Sequence, residues 1–448
     1  MDSKIKTIHR DLTSGKRSCF EMVQEKLSLL SANTYHSVNL LLEETALTQA
    51  KKVDDKIQSG KPVELLEGIP FGIQDVILLQ NTIATGSSDF LKHYHSPYTA
   101  TAIQKLIDAG AIPFVRENCD SFGHGHTSGS AINVAKGYTA FSIGADTGGT
   151  IRIPAGYNHL YGLKPTYGRV SRYGMMANMS STDCMSLFAS SLEDIRIVLN
   201  TISGKDDSDR TTFSSSMIPA NVFDSDYMNK KPIIGYYKNF IDNDYVDIAI
   251  LHDFQKMLDG LSAKGINVIP LDFFDINILV SVFYVLAMAE TASSLARFDG
   301  SLYGARAKSS SREGYMKTRA EHFTEETKRR IVGGNLAVSR GNFDEIYLKA
   351  RSLRNAITDR FDSNFKEVDV ILSPATFGDG ARPVSTNDYS ADSPIAEYLS
   401  DAFTVGFSLG GLPTLTVPFF TQTGIQITAN KNQEDTILNF AHVLKEIQ

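Results

Sequence analysis

Residues 144–155 read Gly-Ala-Asp-Thr-Gly-Gly-Thr-Ile-Arg-Ile-Pro-Ala, with Gly148 and Gly149 directly before the hydroxyl of Thr150. Paired glycines let successive backbone N–H groups turn toward one point with no side chain in the way. Thr147, Gly148 and Gly149 could thus form an oxyanion hole, which stabilises the charged oxygen that develops in acyl transfer. Thr150, at the end of the cluster, could attack a carbonyl held there. Standing alone, the same residues read as a tight turn with a small polar side chain.

Longer motifs surround this run. Gly162-Leu163-Lys164-Pro165-Thr166-Tyr167-Gly168 follows it, and Gly68-Ile69-Pro70-Phe71-Gly72-Ile73-Gln74-Asp75 precedes it. Ala100-Thr101 leads to Gly110-Ala111-Ile112. Arg297-Phe298-Asp299-Gly300, Lys328-Arg329-Arg330-Ile331 and a stretch from Tyr398 to Pro413 come later. In this order the motifs resemble the amidase signature family, and within it the A-subunit branch of tRNA-dependent glutamyl/aspartyl-tRNA amidotransferases. The resemblance implies an α/β fold: one α/β/α domain with a large mixed twisted sheet covered by helices. It also implies an amide such as glutamine as substrate, hydrolysed to supply ammonia, and B-like and C-like partner subunits. It implies no metal and no organic cofactor.

The family works with a nucleophilic Ser, a bridging Ser and a Lys that takes a proton through the bridge. Here Thr150 holds the nucleophile position and Gln74 the Lys position. An ungapped count back from Thr150 puts His126 at the bridging position. The segment before it is shorter than the family's, so Thr127, Ser128 and Ser130 are alternatives. A Gln amide has no proton affinity near neutral pH, whereas a desolvated Lys does. The β-methyl of Thr stiffens its side chain and crowds attack. Members of a catalytic unit are not additive, and losing one removes most of the rate. His126 offers another base, since imidazole titrates near neutrality. His124 and His126 equally suit a shortened surface loop.

By the same resemblance, Arg330 and Asp401 hold the carboxylate and amino group of glutamine, and Tyr284 lines the pocket. The chemistry is apt: a guanidinium forks onto a carboxylate, and a carboxylate receives an ammonium. Each also reads as an ordinary residue: a helix ion pair for Arg330 and Asp401, a core aromatic for Tyr284. Two function classes follow. One is an amidase that acts at Thr150; the other is a catalytically inactive relative serving in binding or assembly.

The chain has 448 residues, 42% hydrophobic and 21% charged, with a net charge of −7. Such a balance suits a globular protein and gives no general attraction to nucleic acid. Three widely spaced cysteines suit a reducing compartment, so the expected location is cytoplasmic, with an organellar matrix as the alternative. Cys119 and Cys184 read as small core residues. The apolar run Ile278 to Ala289 is expected to be too short to span a bilayer, and no secretory segment is expected at the N-terminus.

These residues need elements to position them. Residues 1–60 are expected as an N-terminal helical part, 68–175 as the signature core and 297–448 as the part that carries the pocket. Phe71 to Leu79 reads as a strand, Thr101 to Ala109 as a helix closed by Gly110, and Ile112 to Val115 as the next strand. Ile233 to Tyr237 and Val268-Ile269 flank a helix over 246–263. Val368 to Leu372, Pro413 to Pro418 and Ile425 to Ala429 read as late strands before a closing helix from Glu434. Residues 211–226 and 378–393 read as surface loops.

Overall fold

The computed structural model describes residues 2–125, 128–223, 227, 230–242, 246–308, 312–378, 398–419 and 423–445. Eleven strands among these residues form one sheet: β1 (Val38–Leu41), β2 (Pro70–Gln74), β3 (Ile112–Glu117), β4 (Phe141–Asp146), β5 (Tyr161–Lys164), β6 (Cys184–Ala189), β7 (Ile233–Tyr237), β8 (Asn267–Leu271), β9 (Val370–Pro374), β10 (Thr414–Phe419) and β11 (Thr423–Ala429). Their order is β1-β3-β2-β4-β6-β5-β10-β11-β9-β7-β8. The β3–β2–β4 and β9–β7–β8 groups pair in parallel, and the strands between them are antiparallel. The expected mixed sheet with helical cover is therefore the observed architecture.

Strands β2, β3, β5, β6 and β9 are buried along their whole length, as strands covered on both faces must be. Phe71, Ile73, Phe141, Ile143, Leu163 and Leu187 join one apolar core with helix Leu192–Ile202. The opposite face of β2 and β4 carries Gly72, Gln74, Ser142 and Gly144, because side chains alternate along a strand. Helices Gly129–Ala135 and Arg152–Tyr157 begin near this polar, small-residue face.

Several sequence expectations are corrected. Residues 38–41, expected as helical, form edge strand β1, whose Val38-Asn39-Leu40 alternation a helical reading overlooks. Strand β2 ends at Gln74 rather than continuing to Leu79. There Asp75 turns aside to pair with buried Arg116, with Nη2–Oδ1 at 2.9 Å. Strand β3 runs on to Glu117 instead of stopping at Val115. Helix Thr101–Asp108 ends as expected near Gly110, whose φ of +84° and close contact with Glu67 leave no room for a side chain. Residues 378–393 lie almost wholly outside the described residues.

Helix Ile276–Ser294 is apolar on nearly all sides, and with the turn to Arg297 it is long and apolar enough to cross a membrane. This corrects the expected length. Its residues are mostly buried inside the protein, against helices Glu325–Ala337 and Lys349–Asn364, as a core helix requires. All three cysteines are buried free thiols, in line with the core reading.

Candidate active site

Strand β4 delivers the Asp146–Thr150 segment to the C-terminal edge of β2. A buried ion pair braces the turn: Arg152 Nη2 lies 2.8 Å from Asp146 Oδ1, and its Nε donates to Oδ2 at 3.1 Å. The Ile151 and Arg152 N–H groups also bond to Oδ2. The same guanidinium donates to the Thr404 carbonyl at 2.8 Å and to Ser408 Oγ at 2.7 Å. A buried charge is tolerated only when fully paired in this way. The pair fastens the turn to the 404–408 segment, far away in sequence.

The two glycines are sterically required. A Cβ on Gly148 would lie 2.8 Å from Phe283 Cζ, and one on Gly149 would lie 2.6 Å from Thr404 Oγ1. The φ of Gly149 is +153°, which side chains disfavour. Thr147 points away and donates to Asp183 Oδ1 at 2.7 Å. Burial raises the Asp183 carboxyl, an effect that this bond and two backbone N–H bonds only partly offset. Among the described residues, the backbone N–H groups of Thr147, Gly148, Gly149 and Thr150 make no hydrogen bond. Four consecutive free donors in a buried turn are what an oxyanion hole requires.

Thr150 is buried, and its Oγ1 donates to the Ala145 carbonyl. Gln74 is also buried, and its Oε1 accepts the Ala145 N–H at 2.7 Å. The two residues are thus brought to the same backbone unit, where Gln74 acts as a hydrogen-bond acceptor that a Lys could not be. His126 and Thr127 lie outside the described residues. Ser128 is the N-cap of helix Gly129–Ala135, accepting from Ala131 N at 3.1 Å. Ser130 is fully buried beside Glu117.

The three residues expected to line the pocket converge. Tyr284 Oη donates to Asp401 Oδ2 at 2.6 Å. The same oxygen lies 3.5 Å from where a Cβ on Gly148 would be, which joins pocket and turn. The Arg330 guanidinium carbon lies 5.4 Å from the Tyr284 ring centre and 5.8 Å from that of Tyr398. The two tyrosines stack at 4.1 Å. Arg330 donates through Nε to Glu326 Oε1 at 2.7 Å and through Nη2 to the His124 carbonyl at 2.9 Å. Burial alone would raise the Glu326 carboxyl; Arg330 and the Tyr398 hydroxyl reverse this and bring it below its usual range. Burial, with Asp401 close by, pushes the Tyr284 hydroxyl well up, so it stays a donor.

Three residues of this neighbourhood lie beyond the sequence reading. Glu326 is one helical turn before Arg330, and that spacing is the available signal. His124, expected in a surface loop, is buried against Thr327 and Arg330 of helix Glu325–Ala337. Glu117 is fully buried beside Gly72, where a Cβ would overlap its carboxylate. Its Oε1 accepts from Asn133 at 2.9 Å and Ser142 at 2.8 Å. No local pattern announces the last two.

A sheet-borne glycine turn with free N–H donors, a hydroxyl and an adjoining charged pocket define an acyl-transfer scaffold. The Amidase family model matches residues 21–128 and 125–438, and the chain belongs to that family. It is 33% identical to the A subunit of glutamyl-tRNA(Gln) amidotransferase from Trichodesmium erythraeum, over 99% of this chain and 98% of the relative. It is 35% identical to the corresponding protein of Koribacter versatilis, over 90% and 89%. A crystal structure of the Thermotoga maritima counterpart superimposes with a TM-score of 0.69 at 26% identity, covering 86% of this chain and 84% of the other. The peptide amidase of Stenotrophomonas maltophilia shares the fold, with a TM-score of 0.79 at 21% identity over 99% and 96%.

Proposed function

We propose that this chain is an A-subunit-type amidase that takes glutamine or a similar amino-acid amide. Asp401 receives the α-ammonium, Arg330 the α-carboxylate, and Tyr284 orients Asp401. The amide carbonyl oxygen lies against the N–H groups of residues 147–150. The observation that supports this reading is Asp401 Oδ2, 3.5 Å from where a Cβ on Gly148 would be, close to N–H groups that make no hydrogen bond among the described residues. Thr150 Oγ attacks the amide carbon, its proton passes to the departing nitrogen, and ammonia leaves behind an ester that water cleaves to glutamate. Gln74 has no basic atom and cannot take this proton. Turnover is therefore far slower than an ordinary enzyme's, about 10 s⁻¹. B-like and C-like subunits in the cytoplasm would use the ammonia. Gln74 also favours a second reading, a role in binding or assembly without chemistry. Ammonia release from glutamine by purified protein separates the two. Slow release lost in Thr150→Ala supports the amidase, and release unchanged in that variant overturns it.

A further inference from the structure

His124 is only 8% exposed, and it sits where three segments meet. Its carbonyl accepts Arg330 Nη2, and its Nδ1 faces Thr327 Oγ1 at 3.4 Å. Asn178 lies near the ring, with its own Oδ1 engaged by Thr291 Oγ1 at 2.7 Å. His124 Nε2 has no partner at hydrogen-bonding geometry among the described residues, although it is buried. A buried polar atom without a partner is costly, so such an atom calls for a ligand. The hydroxyls of Thr324 and Thr327 lie 2.9 Å apart, with Thr327 next to the ring. If Thr324 donates to Thr327 and Thr327 donates to Nδ1, the proton of the neutral ring must reside on Nε2. Burial, and then the Arg330 charge, hold the ring well below its usual protonation range, so it stays neutral.

We infer that His124 Nε2–H donates a hydrogen bond to the α-carboxylate of the amino-acid substrate, beside Arg330. This rests on the amino-acid reading of the pocket given above. Glu326 already offsets part of the Arg330 charge, so a neutral second donor adds affinity without adding charge to a buried site. Arg330 Nη1, which makes no hydrogen bond among the described residues, is available to the same carboxylate.

Calorimetry on the full chain tests this with two probes, glutamine and glutamine α-amide, which lacks the carboxylate. His124→Leu should weaken glutamine about tenfold, the worth of one hydrogen bond to a charged group. It should weaken α-amide binding much less, because a neutral carbonyl is the weaker acceptor. His124→Gln, whose Nε2 can donate from a similar place, should recover most of the loss. Glutamine binding unchanged in His124→Leu, or equal loss for both probes, overturns the inference. Should His124→Leu fail to fold, ¹⁵N-histidine spectra of the wild type decide: a shift of Nε2 on adding glutamine supports it, and no shift overturns it. If wild type binds neither probe, the amino-acid pocket itself fails; binding that is lost in Arg330→Ala but kept in His124→Leu fails His124 alone.

Discussion

Gln74 and Thr150 meet on a single residue: Gln74 Oε1 takes the N–H of Ala145, and Thr150 Oγ1 donates to its carbonyl. The pairing turns the two altered catalytic positions into backbone supports for the end of β4. Both side chains are thereby held in place, but neither is joined to a base. A turn of this kind keeps its shape and its N–H donors, while Gln74 supplies no base.

This arrangement sets the outcome of a repair. Gln74→Lys alone replaces an acceptor with a donor and leaves the Ala145 N–H unpaired. It should lower stability by about 1–3 kcal/mol without raising ammonia release. Gln74→Lys with Thr150→Ser and His126→Ser restores base, nucleophile and bridge together. Because such groups act as a unit, activity should rise only in the triple variant. Ammonia release from the single and triple variants, alongside thermal melts, checks both halves. Equal activity in a single variant would contradict it.

Glu117 should make stability depend on pH. Burial pushes its carboxyl up to about 7, against the opposing bonds from Asn133 and Ser142, the nearby Ser130 hydroxyl and the charge of Arg116. A raised carboxyl contributes fully below its unfolded value near 4.3, and that contribution is lost as pH rises through about 7. Glu117→Gln keeps the acceptor for Asn133 and Ser142 without the charge. The variant should gain on the order of 3 kcal/mol relative to wild type at pH 8.5 compared with pH 4. Denaturant melts at the two values test this, and a pH-independent difference would refute it.

Gly149→Ala should disable the site through the backbone. The added methyl meets Thr404 Oγ1 and Ile153 Cδ1 at 2.6 and 2.9 Å, at a φ that side chains disfavour. A cost of about 1–3 kcal/mol is expected from the strain, together with loss of ammonia release. Gly137→Ala, at a φ of +71° with nothing near the new methyl, serves as a strain-only control and should keep its activity. Loss of activity in both variants would contradict the special role of the turn.

The sequence by itself carried the family, the glycine turn and the identity of the residues at its key positions. Those features live in contiguous motifs: Asp146 to Ala155 supplies the turn, its hydroxyl and the Asp146–Arg152 brace within one short run. Arg330, Asp401 and Tyr284 were legible as matched positions, while their meeting was not. Tyr284 and Asp401 are 117 residues apart, and a helix mostly buried by tertiary packing brings them to 2.6 Å. Strand β1 escapes a sequence reading because its Val38-Asn39-Leu40 alternation is too short to stand out between two helices. The placement of Glu117 and His124 was decided only in three dimensions. A carboxylate lies over Gly72 because β2 and β3 pair in parallel, with a register shift after Phe71 and Glu117 level with Gln74, and a loop histidine is buried because Arg330 closes over its carbonyl. Burial and proximity across strands and helices depend on how elements pack, and local residue order holds no record of that packing.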